Sequence, residues 1–547
     1  MERLQRNAPV LLLGIALAAA AAMTLVLTAR LTFLQDTWGF LMGRQNLSAD
    51  SLLRPHNEHL VVIPVLIEYL LVEAFGMSSA WPEYVVLTLF LLATAVLLYV
   101  YIERRVGSWL ALFAAVLVLG LGPAWEALLW PFEITFVAPV TFGIATLLAL
   151  ERGDLRGDVA ACAFLVLGLG FSGLGIPFVL AAAVAIALGP REAWLRRSFV
   201  VVVPLVLYTV WYLGWGQDAE THVSLSNVLY SPRFVIDSLS AAVASLVGLG
   251  PDPAEGVINP TWGRAILVAL VVVLGYRQLQ RPGFDPGLWP VAAAALFNWF
   301  LIASNLMPGR APFSSRYLYI GAVFVLMILA NLLRGLRPSR PALVLAGALT
   351  LIALGPNLVL LRQGRDALEY QAILTRADTA AIEIARRTVD RDFQLTTEVA
   401  GTPTLINVIA GDYLEAIKEH GSPAYTPAEL AAAPETGRRQ ADIILAKALP
   451  LSTVTWLGAF GPPTENCVVL PPGEKREVTI GTGTTRIEVA PGPRAEFSLA
   501  RFAREEYPAT TEGASGDSAT VLRIPRDTST VPWRLQVEAA QLVRVCR

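Results

Sequence analysis

Charge is what this sequence has least of. Only 16% of its 547 residues are Asp, Glu, Lys or Arg, and they nearly cancel to a formal net charge of −2. Such a chain lacks the basic surface that a general nucleic-acid binder needs. Cysteine is nearly absent as well, with three in all. Cys162 lies in an apolar run and reads as a small packing residue. Cys467 and Cys546 lie in the C-terminal tail, near the two ends of its β-rich section. A disulfide between them is expected if the tail is outside the cytoplasm; the alternative is two unpaired thiols. Several signatures are missing: a Walker loop, a GxGxxG in a βαβ setting, an HExxH and a GxSxG. The Gly-rich LGLGFSGLGIP is apolar and fits a tight turn between two short helices better than a phosphate cradle.

What the chain has in excess is apolar length. With 55% hydrophobic residues and a mean hydropathy of +0.55, it reads as a polytopic membrane protein. The excess ends near Leu361, and the rest has ordinary polar composition and enough length to bury its own core. Three regions follow: a membrane domain over residues 1–362, a helical linker region over 363–450 and a β-rich domain over 451–547. Membrane helices are expected near 8–29, 81–103, 108–122, 135–150, 158–172, 174–189, 198–215, 264–279, 287–304, 317–333 and 341–361. A cleaved signal peptide is the alternative for the first of these. With about eleven crossings and a cytoplasmic N-terminus, the C-terminus falls outside. Arginines support that sidedness. Arg104 and Arg105, Arg152 and Arg156, Arg196 and Arg197, and Arg334 and Arg337 all fall on the proposed inner segments. The same rule assigns 59–76, which carries Glu68 and Glu73, to a helix lying along the outer interface within an outer loop 30–80. Residues 216–263 read as a second outer loop.

The tail opens with charged and apolar residues in helical register over 365–390, and 411–449 looks helical with a break at Gly421 to Pro427. From about 452, short alternating runs separated by Gly and Pro predict a small β-sandwich, with Pro508 to Ser518 as an exposed loop. The fold expected is therefore a polytopic α-helical membrane protein with an extracytoplasmic α+β tail ending in a β-sandwich-like domain.

Four stretches carry polar chemistry at the expected outer surface. QDTWGF places Asp36 just after the first helix, beside Trp38 and Phe40. A carboxylate there can face an aqueous cleft as a general base, or simply cap a short helix. In RPHNEH, the imidazoles of His56 and His59 can bond a phosphate, with Glu58 orienting a ring or holding a metal. Asp36, Asp50 and Glu58 offer the oxygen ligands that a divalent cation such as magnesium or manganese would need; whether a metal is required stays open. Glu133 lies where the fourth helix re-enters, among Trp130, Phe132 and Phe136. NLMPGRAPFSSRYLYIG carries Arg310, Arg316, Tyr317 and Tyr319, and arginines at an outer loop run against the positive-inside tendency, which favours an anionic ligand.

Taken together, the order of these pieces resembles the GT-C superfamily of integral-membrane glycosyltransferases. QDTWGF is similar to the acidic first outer loop of that superfamily. HNEHLVVIPVLIEYLLVEAFG followed by IERRVGSWLALFAAVLVLGLGPAW is similar to its membrane-lying helices and basic cytoplasmic turn, and SSRYLY resembles its late outer-loop Arg-Tyr. The likeness covers roughly residues 1–335 and implies a polyprenyl-phosphate-linked sugar as donor, an active site on the outer face and inversion at the anomeric carbon. Transfer of a hexosyl or pentosyl group to a cell-envelope glycan, lipid or protein acceptor follows from it. It also implies Asp36 as base, with Glu58 as second choice, and Arg316 and Arg310 around the donor phosphate; the residue reading adds His56 and His59 to the phosphate site. Trp38, Asp50, Glu133 and Tyr317 would line the cleft. Two departures stand: Thr37 follows Asp36 where many members have a second acid, and HNEH replaces a His/Lys-Pro-Pro type of sequence. The β-rich tail is similar to carbohydrate-binding modules of some actinobacterial cell-wall arabinosyltransferases. Competing readings are a transporter or flippase for a lipid-linked saccharide, a glycan polymerase or ligase, and a non-catalytic envelope scaffold. The oligomeric state is left open.

Overall fold

The computed structural model describes residues 2–44, 46–250, 261–280, 283–307, 309–399, 402–457, 460 and 466–547. Within the expected loop 216–263, residues 251–260 lie outside them. The described chain packs as two units, the first made of Met1–Arg30, Arg44–Leu71 and Trp81–Leu368, the second of Leu31–Gly43, Val72–Ala80 and Glu369–Arg547.

The first unit is helical. Every one of the eleven expected spans falls on a helix, among them Trp81–Val106, Ile134–Leu150, Ser315–Leu332 and Arg340–Ala385. Crossing is a stricter condition, because about 20 apolar residues are needed to traverse a bilayer core. Seven helices among the described residues are long and apolar enough. An eighth is reached if Ser108–Leu119 and Gly122–Leu129, bent by 46° at their break, form one span. Gly173–Ala187 and Leu288–Ser304 are apolar but shorter. The stretch 59–76 forms the helix Val62–Phe75, whose 14 residues are too few to traverse.

Polar ties between apolar helices fix their register. Thr94 and Thr141 share a hydroxyl–hydroxyl bond of 2.6 Å, linking Trp81–Val106 to Ile134–Leu150. At the far end of Trp81–Val106, Arg105 Nε donates to Asn331 Oδ1 (2.9 Å), and Asn331 Nδ2 donates to Tyr101 Oη (2.9 Å). Gly122 marks the bend. Its N–H donates to Asn357 Oδ1 at 2.9 Å, and a Cβ there would lie 1.7 Å from the Asn357 carbonyl oxygen, so only glycine fits.

The second unit is α+β. Helices Ala410–His420, Pro427–Ala432 and Glu435–Ala448 precede two antiparallel sheets. The four-stranded sheet runs Gly473–Ile480, Trp533–Ala539, Ala495–Ala500, Ala509–Ala514. The five-stranded sheet runs Ser452–Leu457, Ser518–Ile524, Gly483–Val489, Val543–Cys546, Cys467–Leu470. Inward-facing residues of both are buried, such as Phe497, Leu499 and Leu535 in one and Ile487, Leu522 and Val545 in the other. Pro508 to Ser518 departs from its expected loop. Ala509–Ala514 pairs as an edge strand with Ala495–Ala500. Its polar sequence shows no alternation, and backbone pairing at an edge needs none.

Cys467 and Cys546 are direct register partners and are joined by a disulfide. Helix and sheet are locked by Asp442, whose carboxylate accepts the backbone N–H groups of Arg501 (2.8 Å), Phe502 (3.0 Å) and Ala503 (2.9 Å). Arg501 in turn forms a bidentate pair with Asp527 (2.6 and 3.1 Å), both side chains almost wholly buried.

Candidate functional site

In the first unit, residues from five distant stretches meet around the start of the Ser315–Leu332 helix. The RPHNEH segment folds as a tight hairpin in which His56 and His59 exchange both backbone hydrogen bonds (3.1 and 3.0 Å). Asn57 takes φ 49° at its tip, a left-handed conformation that asparagine tolerates better than most residues. The hairpin presents Glu58 to Arg310, which grips it bidentately: Nη1 to Oε1 at 2.5 Å and Nη2 to Oε2 at 2.9 Å. His59 Nε2 lies 3.4 Å from the same Oε1. Burial would raise the Glu58 carboxyl, but His59 and Arg310 outweigh it and hold the group below its ordinary 4.5. Burial pushes the His59 imidazole below 6.5; Glu58 pulls the other way, and Arg310 and His56 add to the drop. At neutral pH the hairpin thus carries a carboxylate and a neutral imidazole, the latter with one donor and one acceptor nitrogen.

Arg316 is held from a different side. Its backbone N–H donates to Glu126 Oε2 (3.0 Å) and its Nη2 to Glu126 Oε1 (3.2 Å). Its guanidinium carbon stands 5.5 Å from the centre of the Trp130 ring, a cation–π distance. Trp130 stacks on Phe132 at 5.3 Å, and Phe132 meets His56 edge-on at 5.3 Å, so aromatic contacts run from Arg316 to the hairpin. Tyr317 sits inside this ring of groups, buried and 6.0 Å from Phe136. Arg316, Arg310, Glu58 and Glu133 all act electrostatically on its hydroxyl. Glu133 is wholly buried.

The structure thus assembles His56, Glu58, His59, Glu133, Arg310, Arg316 and Tyr317 in one place. Asp50 stands apart from that ring of contacts. It lies in the first turn of Ala49–Leu53 and accepts from the Trp215 indole N–H at 3.2 Å. Two participants were not named from the sequence. Glu126 is one; its only signal is an acid inside the otherwise apolar GPAWEALLWPF. Tyr208 is the other. A methyl on Gly173 would lie 2.9 Å from His59 Nδ1 and 3.4 Å from the Tyr208 hydroxyl, so both side chains approach this glycine closely.

Asp36 and Trp38 belong to the second unit. Asp36 opens the short helix Asp36–Gly43 and is half-buried. The turn before it is tightly anchored. Gln35, at φ 46°, is held by a backbone bond to Thr404 O (3.0 Å) and a side-chain bond to Gln371 (2.7 Å). Trp38, expected to line a cleft, has no exposed surface. Its indole donates to Phe33 O (3.0 Å) and its ring meets Tyr413 edge-on at 5.9 Å, so it packs this unit's core. Among the described residues no three His, Cys, Asp or Glu side chains gather in a group fit to hold a metal ion.

No family model matches the sequence, and no curated protein sequence matches it. Among solved structures, the chain is similar to the crystal structure of ArnT from Cupriavidus metallidurans bound to undecaprenyl phosphate. The two are 13% identical, with a TM-score of 0.44, over 76% of this chain and 89% of that one.

Proposed function

We propose that the protein is a GT-C-type membrane glycosyltransferase that moves a hexosyl or pentosyl group from a polyprenyl-phosphate donor to a cell-envelope glycan, lipid or protein acceptor. The observation that carries this reading is the convergence of Arg310 and Arg316, each anchored by a glutamate, on the buried Tyr317. Two guanidinium groups preorganised at the mouth of an apolar helix bundle suit a phosphodiester whose lipid tail remains in the bilayer. Carboxylate anchors hold those guanidinium groups in place before the anion arrives, which lowers the ordering cost of binding it.

In the proposed reaction, the Asp36 carboxylate takes the proton of an acceptor hydroxyl. The hydroxyl oxygen forms a bond to the anomeric carbon from the face opposite the phosphate. The carbon–oxygen bond to phosphate breaks with its electron pair, releasing polyprenyl phosphate, and the configuration inverts. Arg316 and Arg310 stabilise the charge that develops on the leaving phosphate, while His56 and the neutral His59 supply hydrogen bonds to its oxygens. Glu58, the second choice as base, has both its oxygens committed to Arg310. The chemistry belongs on the outer face of the plasma membrane, with the C-terminal region outside the cytoplasm, where the disulfide Cys467–Cys546 would persist.

The test uses full-length protein in lipid nanodiscs with a panel of labelled polyprenyl-phosphate sugars. Wild type should turn over one donor. Asp36→Asn should lose roughly 10²–10⁴-fold in rate while retaining donor binding, and Arg316→Gln should weaken donor binding. Full activity in Asp36→Asn would remove Asp36 as base. Donor binding without turnover by wild type across the panel would replace the transferase by a transporter or scaffold.

A further inference from the structure

The first unit contains a second feature, far from the groups described above. Arg316 lies in the first turn of the Ser315–Leu332 helix and Asn331 in its last, 15 residues on, or about 22 Å along the axis. Beyond Asn331 lies a cavity of about 390 Å³ whose walls include Arg105, Ser108, Trp109, Leu110, Arg337 and Leu343. Two turns frame it. One joins Trp81–Val106 to Ser108–Leu119 through Gly107, and the other follows Ser315–Leu332. They are tied together, since the Gly335 N–H donates to Arg105 O at 3.1 Å. The walls are therefore fixed by backbone contact.

The charges along these walls are unequal in their commitments. Arg105 is spent: it donates to Asn331 (2.9 Å), Tyr101 O (2.8 Å) and Glu151 (2.6 Å) and lies over the Tyr101 ring at 3.5 Å. Outside the walls, the neighbouring Arg104 shares Glu151 and Arg334 is paired with Asp285. Arg337 is exposed and enters no ion pair or hydrogen bond among the described residues. It is the cation on the cavity wall with its charge still to satisfy. Gly107, the residue before Ser108–Leu119, offers no side chain to cap that helix, so its first N–H groups add positive potential on the same side. Apart from Ser108, the remaining wall residues are apolar or aromatic. Leu110 and Leu343 line the cavity, and the half-buried Trp109 has the amphipathic ring that settles at headgroup level.

We infer that this cavity binds the phosphate group of an anionic lipid, with Arg337 pairing the phosphate, Trp109 against the glycerol region and Leu110 and Leu343 against the first acyl carbons. Phosphate chemistry is what an unpaired guanidinium selects. The apolar walls select a lipid over a free anion, because an inorganic phosphate would leave them in water. The inference does not depend on sugar transfer and stands or falls separately from it.

Native mass spectrometry of the full-length protein, released from mixed micelles of phosphatidylglycerol and phosphatidylcholine, reads the site directly. Wild type should retain one phosphatidylglycerol in preference to phosphatidylcholine. Arg337→Gln should weaken that retention roughly tenfold, and Arg337→Lys should restore part of it. Trp109→Ala, on an independent wall, should weaken it as well, so the outcome does not hang on one variant's folding. Arg340→Gln removes an exposed neighbouring charge that does not line the cavity, and should leave retention unchanged. Equal retention of the two lipids by wild type, or an unchanged preference in both Arg337→Gln and Trp109→Ala, would overturn the site. Equal losses in Arg337→Gln and Arg340→Gln would replace it with diffuse surface charge. Displacement of the bound lipid by millimolar inorganic phosphate would overturn the lipid assignment.

Discussion

At the scale of single residues, the Glu58–Arg310 pair dominates the first unit's polar chemistry. Both side chains are mostly buried, so replacing one leaves the other charge poorly solvated. Glu58→Gln should destabilise the full-length protein by roughly 1–3 kcal/mol, a range set below that of a fully enclosed pair because some solvent reaches both groups. Glu58 and His59 both hold their protons less tightly in the fold than in the unfolded chain. The unfolded chain therefore binds more protons as pH falls, and stability falls with it. The His59 contribution is complete above 6.5 and is lost below it. The Glu58 contribution is complete above 4.5 and is lost as pH drops through its lower folded value. Melting temperature in nanodiscs, followed from about pH 8 to about pH 4, should decline in two stages. His59→Gln should flatten the first and Glu58→Gln the second; a curve that stays level in wild type would count against this coupling. Residue types alone marked His56, Glu58, His59, Arg310 and Arg316 as unusual, because charge is scarce in this chain. They could not mark Glu126, which finds Arg316 across 190 positions of sequence, or Tyr208, one aromatic among many in an apolar span.

At the scale of elements, periodicity located almost every helix and most strands. Apolar runs must bury themselves in lipid or against each other, and alternation must follow a half-buried sheet. What it could not give were continuity and edges. The expected span 341–361 and the expected helix 365–390 belong to one uninterrupted helix, Arg340–Ala385. The change from apolar to charged composition records a change of surroundings, and the backbone continues through it. The edge strand Ala509–Ala514 was invisible because its residues do not alternate. The disulfide belongs to this scale too, since it joins the edge strand Cys467–Leu470 to the last strand, Val543–Cys546. It closes a loop of 79 residues. Its loss in Cys467→Ser with Cys546→Ser should cost about 2–5 kcal/mol, read as a lower melting temperature in the full-length protein. Thiol labelling of unreduced, denatured wild type should modify Cys162 alone.

At the scale of the whole molecule, the proposed topology has its own check. With an odd number of crossings, alkaline phosphatase fused after Arg547 should be active and a fluorescent protein at the same position dark, while a fluorescent protein at the N-terminus should be bright. The reverse pattern at Arg547 would require an even number of crossings and would remove the oxidising environment from the disulfide. The sequence by itself determined the class of molecule, since mean hydropathy, arginine spacing and strand alternation are local and additive properties that survive without coordinates. It also nominated Arg310 and Arg316, because a charge beside an apolar run is costly unless it serves a purpose. Only the tertiary structure decided how those nominations sort. It spent Glu58 on Arg310, buried Trp38, and placed Leu31–Gly43 and Val72–Ala80 in one unit with the C-terminal region. Each of these is a pairing between residues tens to hundreds of positions apart. Such pairings are fixed by which surfaces fit when the chain closes on itself, and no local pattern encodes that fit.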